Sequence, residues 1–177
     1  MKHQIINVQS ASSFIKAFHS STEELNSGCF ATVHLSNDGK RVYKSFTRDD
    51  PAYLKFIDLA RECTDNPYLP KIYGIWDLME PDYHIGNTII AMEVLTPIDC
   101  CDFDNALIAQ IRGILYDGIF CGEVAIVWPD KLDKYEEALV CVLDAYNASK
   151  SFLDLHAGNC MYRGDQIVIT DPLGSMF

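Results

Sequence analysis

Four residues able to bind or move protons and cations crowd into one stretch, Phe152 to Pro172, FLDLHAGNCMYRGDQIVITDP: Asp154, His156, Asn159 and Asp171. Met161 and Tyr162 read as a short strand, Arg163-Gly164-Asp165 as a turn, and Gln166 to Thr170 as a second strand. Such a hairpin folds the chain back and returns Asp171 towards Asn159. An acidic residue, an amide five positions on and a second carboxylate beyond a hairpin supply hard oxygen ligands. Magnesium is usually held by one or two carboxylates, with substrate phosphates completing its shell. Strand alternation puts Ile167 and Ile169 on one face and Val168 and Thr170 on the other, so Asp171 lies at the strand's end. Taken singly, each residue has an ordinary reading. Asp154, Gly158 and Asn159 are common loop formers, His156 a satisfied loop histidine, and Asp171-Pro172 a turn start. The combination, D-x-H-x-x-N followed by a hairpin and Asp, points to a phosphotransferase loop.

A second set lies earlier. In NSGCFATV, from Asn26 to Val33, Gly28 beside Ser27 and Cys29 lets backbone amides approach a phosphate closely. Phe30 would cap the loop tip and Val33 would pack on a flat ring. A three-glycine phosphate loop reads G-x-G-x-x-G-x-V; here Asn26 and Ala31 stand at two of the glycine positions. The ordinary reading is a turn. Further on, Lys44 alternates with Val42 on one strand, so both face the same way. A lysine on an apolar-facing side needs an anionic partner, which phosphate oxygens would provide. The ordinary reading is a solvated lysine at a strand end.

These residues need elements to hold them. Ser10 to Ser20 reads as a helix with Phe14, Ala17 and Phe18 on one face and Ser10 or Ser12 as cap. Leu25 to Leu35 reads as a strand pair, and Asn37-Asp38-Gly39 as the hairpin into a strand from Arg41 to Phe46. Asp50-Pro51 opens a helix whose buried face is Tyr53, Phe56, Ile57 and Ala60. On its polar side either Asp58 or Glu62 would reach Lys44, with Glu62 preferred. Lys71 to Leu78 and Thr88 to Leu95 read as strands, and Thr96-Pro97 as a connector. Helical spacing then follows in Phe103, Leu107, Ile108, Ile111 and Leu115, and again in Tyr135, Ala138, Leu139, Val142 and Tyr146. Strands segregated from helices predict an α+β fold. The expected divisions are an N-terminal helical segment (1–24), a strand-rich lobe (25–96) and a reduced helical lobe (97–177).

Composition sets outer bounds. The chain has 177 residues, 49% hydrophobic, with a formal charge of −11. Such a chain is globular. The charge argues against direct nucleic-acid binding, which needs clustered Lys and Arg, and permits a basic protein partner. Seven cysteines without a C-x-x-C pair suit a reducing cytoplasm and buried, inert thiols. MKHQIINVQS holds no long apolar stretch, so no signal peptide is expected, and no run approaches membrane-spanning length.

The motif order of glycine loop, strand lysine, helix, strands, connector, helices, D-x-x-x-x-N, hairpin and Asp resembles a minimal protein-kinase-like fold. DLHAGN is similar to the loop of aminoglycoside and choline kinases. NSGCFATV, RVYK, DLHAGN and ITDP together resemble the early host-shutoff Ser/Thr protein kinases of T-seven-like bacteriophages, from about Leu25 to Pro172. The resemblance implies that Lys44 holds ATP phosphates, that Asp154 orients or deprotonates the acceptor hydroxyl, and that Asn159 and Asp171 ligate magnesium. It implies that His156 supports the loop. It also implies a nucleotide pocket of Gly28, Phe30 and Val33 with Glu62 near Lys44, and a hinge from Met92 through Glu93 to Leu95 that holds adenine by backbone groups. Phe152-Leu153 stands where the family has His-Arg, and Asp171-Pro172-Leu173 where it has D-F-G. The chain ends at Phe177, so no activation segment and no helical platform for peptide are expected. Two function classes follow. One is an ATP- and magnesium-dependent kinase acting on host bacterial proteins of transcription, RNA processing or defence. The other is an acidic kinase-like scaffold that inhibits such a nucleic-acid-handling or defence protein by contact.

Overall fold

In a computed structural model of the chain, residues 3–6, 8–27, 31–46, 50–82, 86–98, 102–121, 132–149 and 151–175 are described. The fold is α+β. It forms two compact units, one of residues 1–50 and 71–94, the other of residues 51–70 and 95–177.

The first unit is a six-stranded sheet with one helix. Its strands are β1 (Gln4–Ile6), β2 (Thr22–Ser27), β3 (Ala31–Ser36), β4 (Arg41–Phe46), β5 (Ile72–Asp82) and β6 (Gly86–Glu93). They run in the order β1-β5-β6-β4-β3-β2. All neighbours are antiparallel except β1 with β5, which is parallel. The β3–β4 turn closes where the sequence places it: Gly39 takes φ 69°, and Ser36 Oγ donates to Asp38 Oδ1 at 2.7 Å. A side chain at φ 69° would be strained, which is why glycine suits that corner.

Helix α1 (Val8–Ser21) starts earlier than expected, so Ser10 and Ser12, expected as its cap, lie within its span. Ala17, expected on the buried face, is exposed, while Ala11, Phe14, Ile15 and Phe18 carry the packing. The offsets three, four and seven from Ala11 define a single helical stripe, and Ala17 lies off it. Phe18 joins Leu78 and Ile89 in the core, with Tyr43 and Trp76 against them. Against that cluster lies His34, only 5% exposed, its Nε2 3.2 Å from Ser45 Oγ and its ring edge-on to Phe18 at 5.0 Å. Burial holds its pKa below the ordinary histidine value; Glu24 opposes that shift and His19 adds to it. The fold therefore favours the neutral ring. Its contribution is present above the unfolded pKa of about 6.5 and is lost as pH falls through the lower folded value. The melting temperature should fall less steeply below about pH 6.5 in His34→Gln than in wild type. Parallel melting curves across that range would show that the ring does not titrate on unfolding.

The second unit holds α2 (Pro51–Glu62), β7 (Thr96–Pro97), α3 (Asp102–Cys121), α4 (Glu136–Ala148), β8 (Ser151–Leu153), β9 (Cys160–Arg163), β10 (Gln166–Ile169) and β11 (Leu173–Ser175). The sequence reading divides the chain at 24/25 and 96/97. The contacts divide it instead at 50/51, 70/71 and 94/95, and α2 goes with the second unit. The reason is its buried face. Ala52, Tyr53, Phe56, Ile57 and Ala60 pack against α4 and β11, and Ala52 N donates to Ser175 Oγ at 3.2 Å. The stripe read from the sequence is thus real; its partner is a helix and strand nearer the C-terminus.

Cys63 and Cys141 adjoin between α2 and α4. Burial pushes both thiols up, Cys141 to about 12, and Cys160 also reaches about 12 through burial alone. Such thiols stay protonated and unreactive. No described helix is long and apolar enough to cross a membrane.

Candidate functional site

The second unit brings Asp154, His156, Asn159 and Asp171 together through two strand pairings. β9 and β10 form the hairpin, Gln166 opposite Arg163 and Ile169 opposite Cys160. β8 and β11, at the outer ends of this segment, pair with each other, Leu153 opposite Leu173. The loop after β8 and the turn after β10 are thereby pinned side by side. Asp154 N donates to Pro172 O at 2.8 Å. The fit at that pairing is tight, because Gly174 lies opposite Phe152 and a Cβ there would come within 2.4 Å of the Phe152 ring. Gly174 and Pro172 thus shape the site without reactive groups of their own. D-P-L-G was their signal in the sequence, and it gained meaning only once β11 found β8.

Inside the loop, the Asn159 amide is held from one side. Its Nδ2 donates to Asp154 O at 2.6 Å and to Asp154 Oδ2 at 3.1 Å. Both partners are acceptors, so the amide orientation follows: nitrogen to Asp154, Oδ1 directed elsewhere. The Asn159 carbonyl accepts from Thr170 N and Asp171 N, each at 3.1 Å, and from Thr170 Oγ1 at 2.9 Å. That carbonyl ties the loop to the residue that carries the second carboxylate. His156 is more peripheral. Its Nδ1 accepts from Gly158 N at 3.1 Å, which leaves the neutral ring's proton on Nε2, 3.8 Å from Asp154 Oδ1. That distance suits ion pairing with a charged ring and exceeds a hydrogen bond. Asp154 keeps 46% side-chain exposure, so its carboxylate is accessible from solvent.

The hairpin itself is anchored. Arg163 donates from Nη1 to Pro67 O and from Nη2 to Leu69 O at 2.9 Å, while Ile169 N donates to Tyr68 O at 2.9 Å. Asn66 Nδ2 donates to Glu137 Oε2 at 2.9 Å and Tyr68 packs on Tyr135 at 4.2 Å, which fixes the 66–70 segment to the α4 end. The loop therefore rests on a rigid support, as a site demanding fixed geometry requires.

The other expected residues divide differently. Lys44 lies in the first unit, half-buried, its Nζ 5.2 Å from the centre of the Phe46 ring. Its cross-strand neighbours are Val33 and Ile90, so Lys44, Val33, Val42 and Phe46 share one face of the sheet. Gly28 and Phe30 lie outside the described residues. Met92, opposite Val42, is buried, and Glu93 ends its strand with Oε1 accepting from Lys71 N at 2.7 Å. Leu95, partly buried, begins the next segment of the second unit. Glu62 ends α2, exposed, and its charge helps keep the Cys63 and Cys141 thiols protonated. Asp58 pairs with Arg61 at 3.1 Å.

No protein-family model matches this sequence, and no curated protein matches it. The geometry must carry the functional reading. Asn159 Oδ1 and the Asp171 carboxylate are hard oxygen donors, the class that suits magnesium and not a soft or borderline metal. Were both to bind one ion, most of an octahedral shell would be left to water and phosphate, the usual arrangement for magnesium on a nucleotide.

Proposed function

We propose that this chain is an ATP- and magnesium-dependent phosphotransferase of protein-kinase-like fold: a small bacteriophage Ser/Thr protein kinase that modifies host bacterial proteins. One observation carries the reading. Asp154, Asn159 and Asp171 are bonded into a single loop–hairpin unit, Asn159 touching Asp154 through its amide and Asp171 through its carbonyl. In the proposed reaction Asp154 accepts the proton of the acceptor hydroxyl. Asn159 fixes Asp154 and, with Asp171, holds the cation. Lys44 neutralises nucleotide phosphate, and Met92 to Leu95 takes adenine. Magnesium, when bound, neutralises charge on the transferring phosphoryl group. His156 supports the loop, its Nδ1 accepting from Gly158 N.

Nucleotide binding is the direct test. A ligand that binds only the native state stabilises it, by about 2.7 kcal/mol at a hundredfold excess over Kd. ATP with magnesium should raise the melting temperature, and Lys44→Ala should blunt the rise. No shift at millimolar ATP would remove the phosphotransferase reading. The alternative is an acidic scaffold that inhibits a basic host protein by contact, favoured by the net charge of −11.

A further inference from the structure

We infer that Thr170 is a positioning residue for the cation, an inference that rests on the magnesium site proposed above. Thr170 follows β10 and is 7% exposed. The two residues before it, Val168 and Ile169, are fully buried and apolar, so an unpaired hydroxyl there would be costly. The hydroxyl is paired, and its partner is informative. Thr170 Oγ1 donates to Asn159 O at 2.9 Å, the same oxygen that takes Thr170 N and Asp171 N. Three donors on one carbonyl hold the Asn159 peptide more firmly than two backbone bonds would.

That peptide connects the two proposed cation ligands. On one side it leads through the Asn159 Cα to Oδ1. On the other, its oxygen is bonded to the amide of Asp171. Any tilt of the peptide plane changes the separation of the two ligand oxygens. Magnesium demands near-ideal octahedral geometry at about 2.0–2.1 Å and tolerates such a change poorly. Partners outside the ligand set that orient ligands typically contribute 10–100-fold in metal affinity. Thr170 touches neither cation nor nucleotide in this scheme; it acts through the Asn159 carbonyl. Valine is nearly isosteric and lacks only the donor, so it separates the hydroxyl's role from simple filling of space.

The test is calorimetry of ATP binding by the whole chain as magnesium is titrated, repeated with manganese, on wild type and on Thr170→Val, Thr170→Ala and Thr170→Ser. Thr170→Val and Thr170→Ala should raise the half-saturating magnesium concentration about tenfold, with a smaller rise for manganese. Thr170→Ser should stay within about twofold of wild type because it keeps the donor. A folded Thr170→Val or Thr170→Ala with the wild-type magnesium midpoint overturns the inference, as does Thr170→Ser behaving like Thr170→Val. If neither Thr170→Val nor Thr170→Ala folds, Thr170 is a folding residue and the inference also falls. Wild type that binds ATP without regard to metal overturns the magnesium site itself, a separate result from an unaltered variant.

Discussion

Asp171→Asn should lose metal-dependent ATP binding by about 100-fold or more while the protein still folds, because it removes a ligand charge without changing the side chain's shape. The two side chains are isosteric. The Asp171 backbone amide donates to Asn159 O at 3.1 Å, and that bond is kept in the variant. The pairing of β8 with β11, which brackets the position, involves Ser151 to Leu153 and Leu173 to Ser175 and does not depend on the Asp171 carboxylate. Calorimetry with ATP, with and without magnesium, measures the loss, and a thermal melt checks folding. A folded Asp171→Asn protein with unchanged magnesium dependence would make Asp171 a turn former only, and the kinase reading of the whole stretch would go with it.

Asp154→Asn should abolish transfer of labelled phosphate from ATP to host proteins, by roughly 10²–10⁴-fold if Asp154 serves as general base. Nucleotide binding should persist, because Asp154 is not among the proposed cation ligands. Folding should persist too. The Asp154 backbone makes two of the loop's bonds, from N to Pro172 O and from Asn159 Nδ2 to its carbonyl, and both survive the change. An asparagine oxygen at the Oδ2 position still accepts from Asn159 Nδ2. Expression of the variant in host cells separates the two functional classes. If phosphate transfer drives toxicity, Asp154→Asn is harmless. If contact with a host protein drives it, the variant stays toxic, and charge reversal on the acidic surface should disarm it instead.

Much of the local structure was legible in the sequence. The stripe Tyr53, Phe56, Ile57 and Ala60 is buried as its spacing requires. Asn37-Asp38-Gly39 makes its turn, and the β9–β10 hairpin forms where Gly164 and Asp165 permit. These features obey rules acting over a few residues: helical and strand periods, and turn chemistry. The candidate site was legible as far as its oxygen-bearing residues, since D-x-H-x-x-N, hairpin and Asp all lie within one short segment. Ala17 shows where periodicity runs short. Phe14 and Phe18 locate the packed side of α1, but its edges depend on what lies opposite, here Leu78, Ile89 and Tyr43.

The sequence by itself determined the α+β class, the hairpins, the buried face of α2 and the residues capable of chemistry. The tertiary structure alone decided the parallel pairing of β1 with β5, the packing of α2 on α4 and β11, and the closure of β8 on β11. It also gave Thr170, Pro172 and Gly174 their parts around Asn159 and Asp154. The physical reason is range. A helix period or a turn is fixed by neighbours in the chain, whereas Leu153 meets Leu173 only because two distant strands find complementary edges and bury one another's apolar neighbours. A hydroxyl such as Thr170 looks like any strand residue until that closure places the Asn159 carbonyl 2.9 Å from its oxygen.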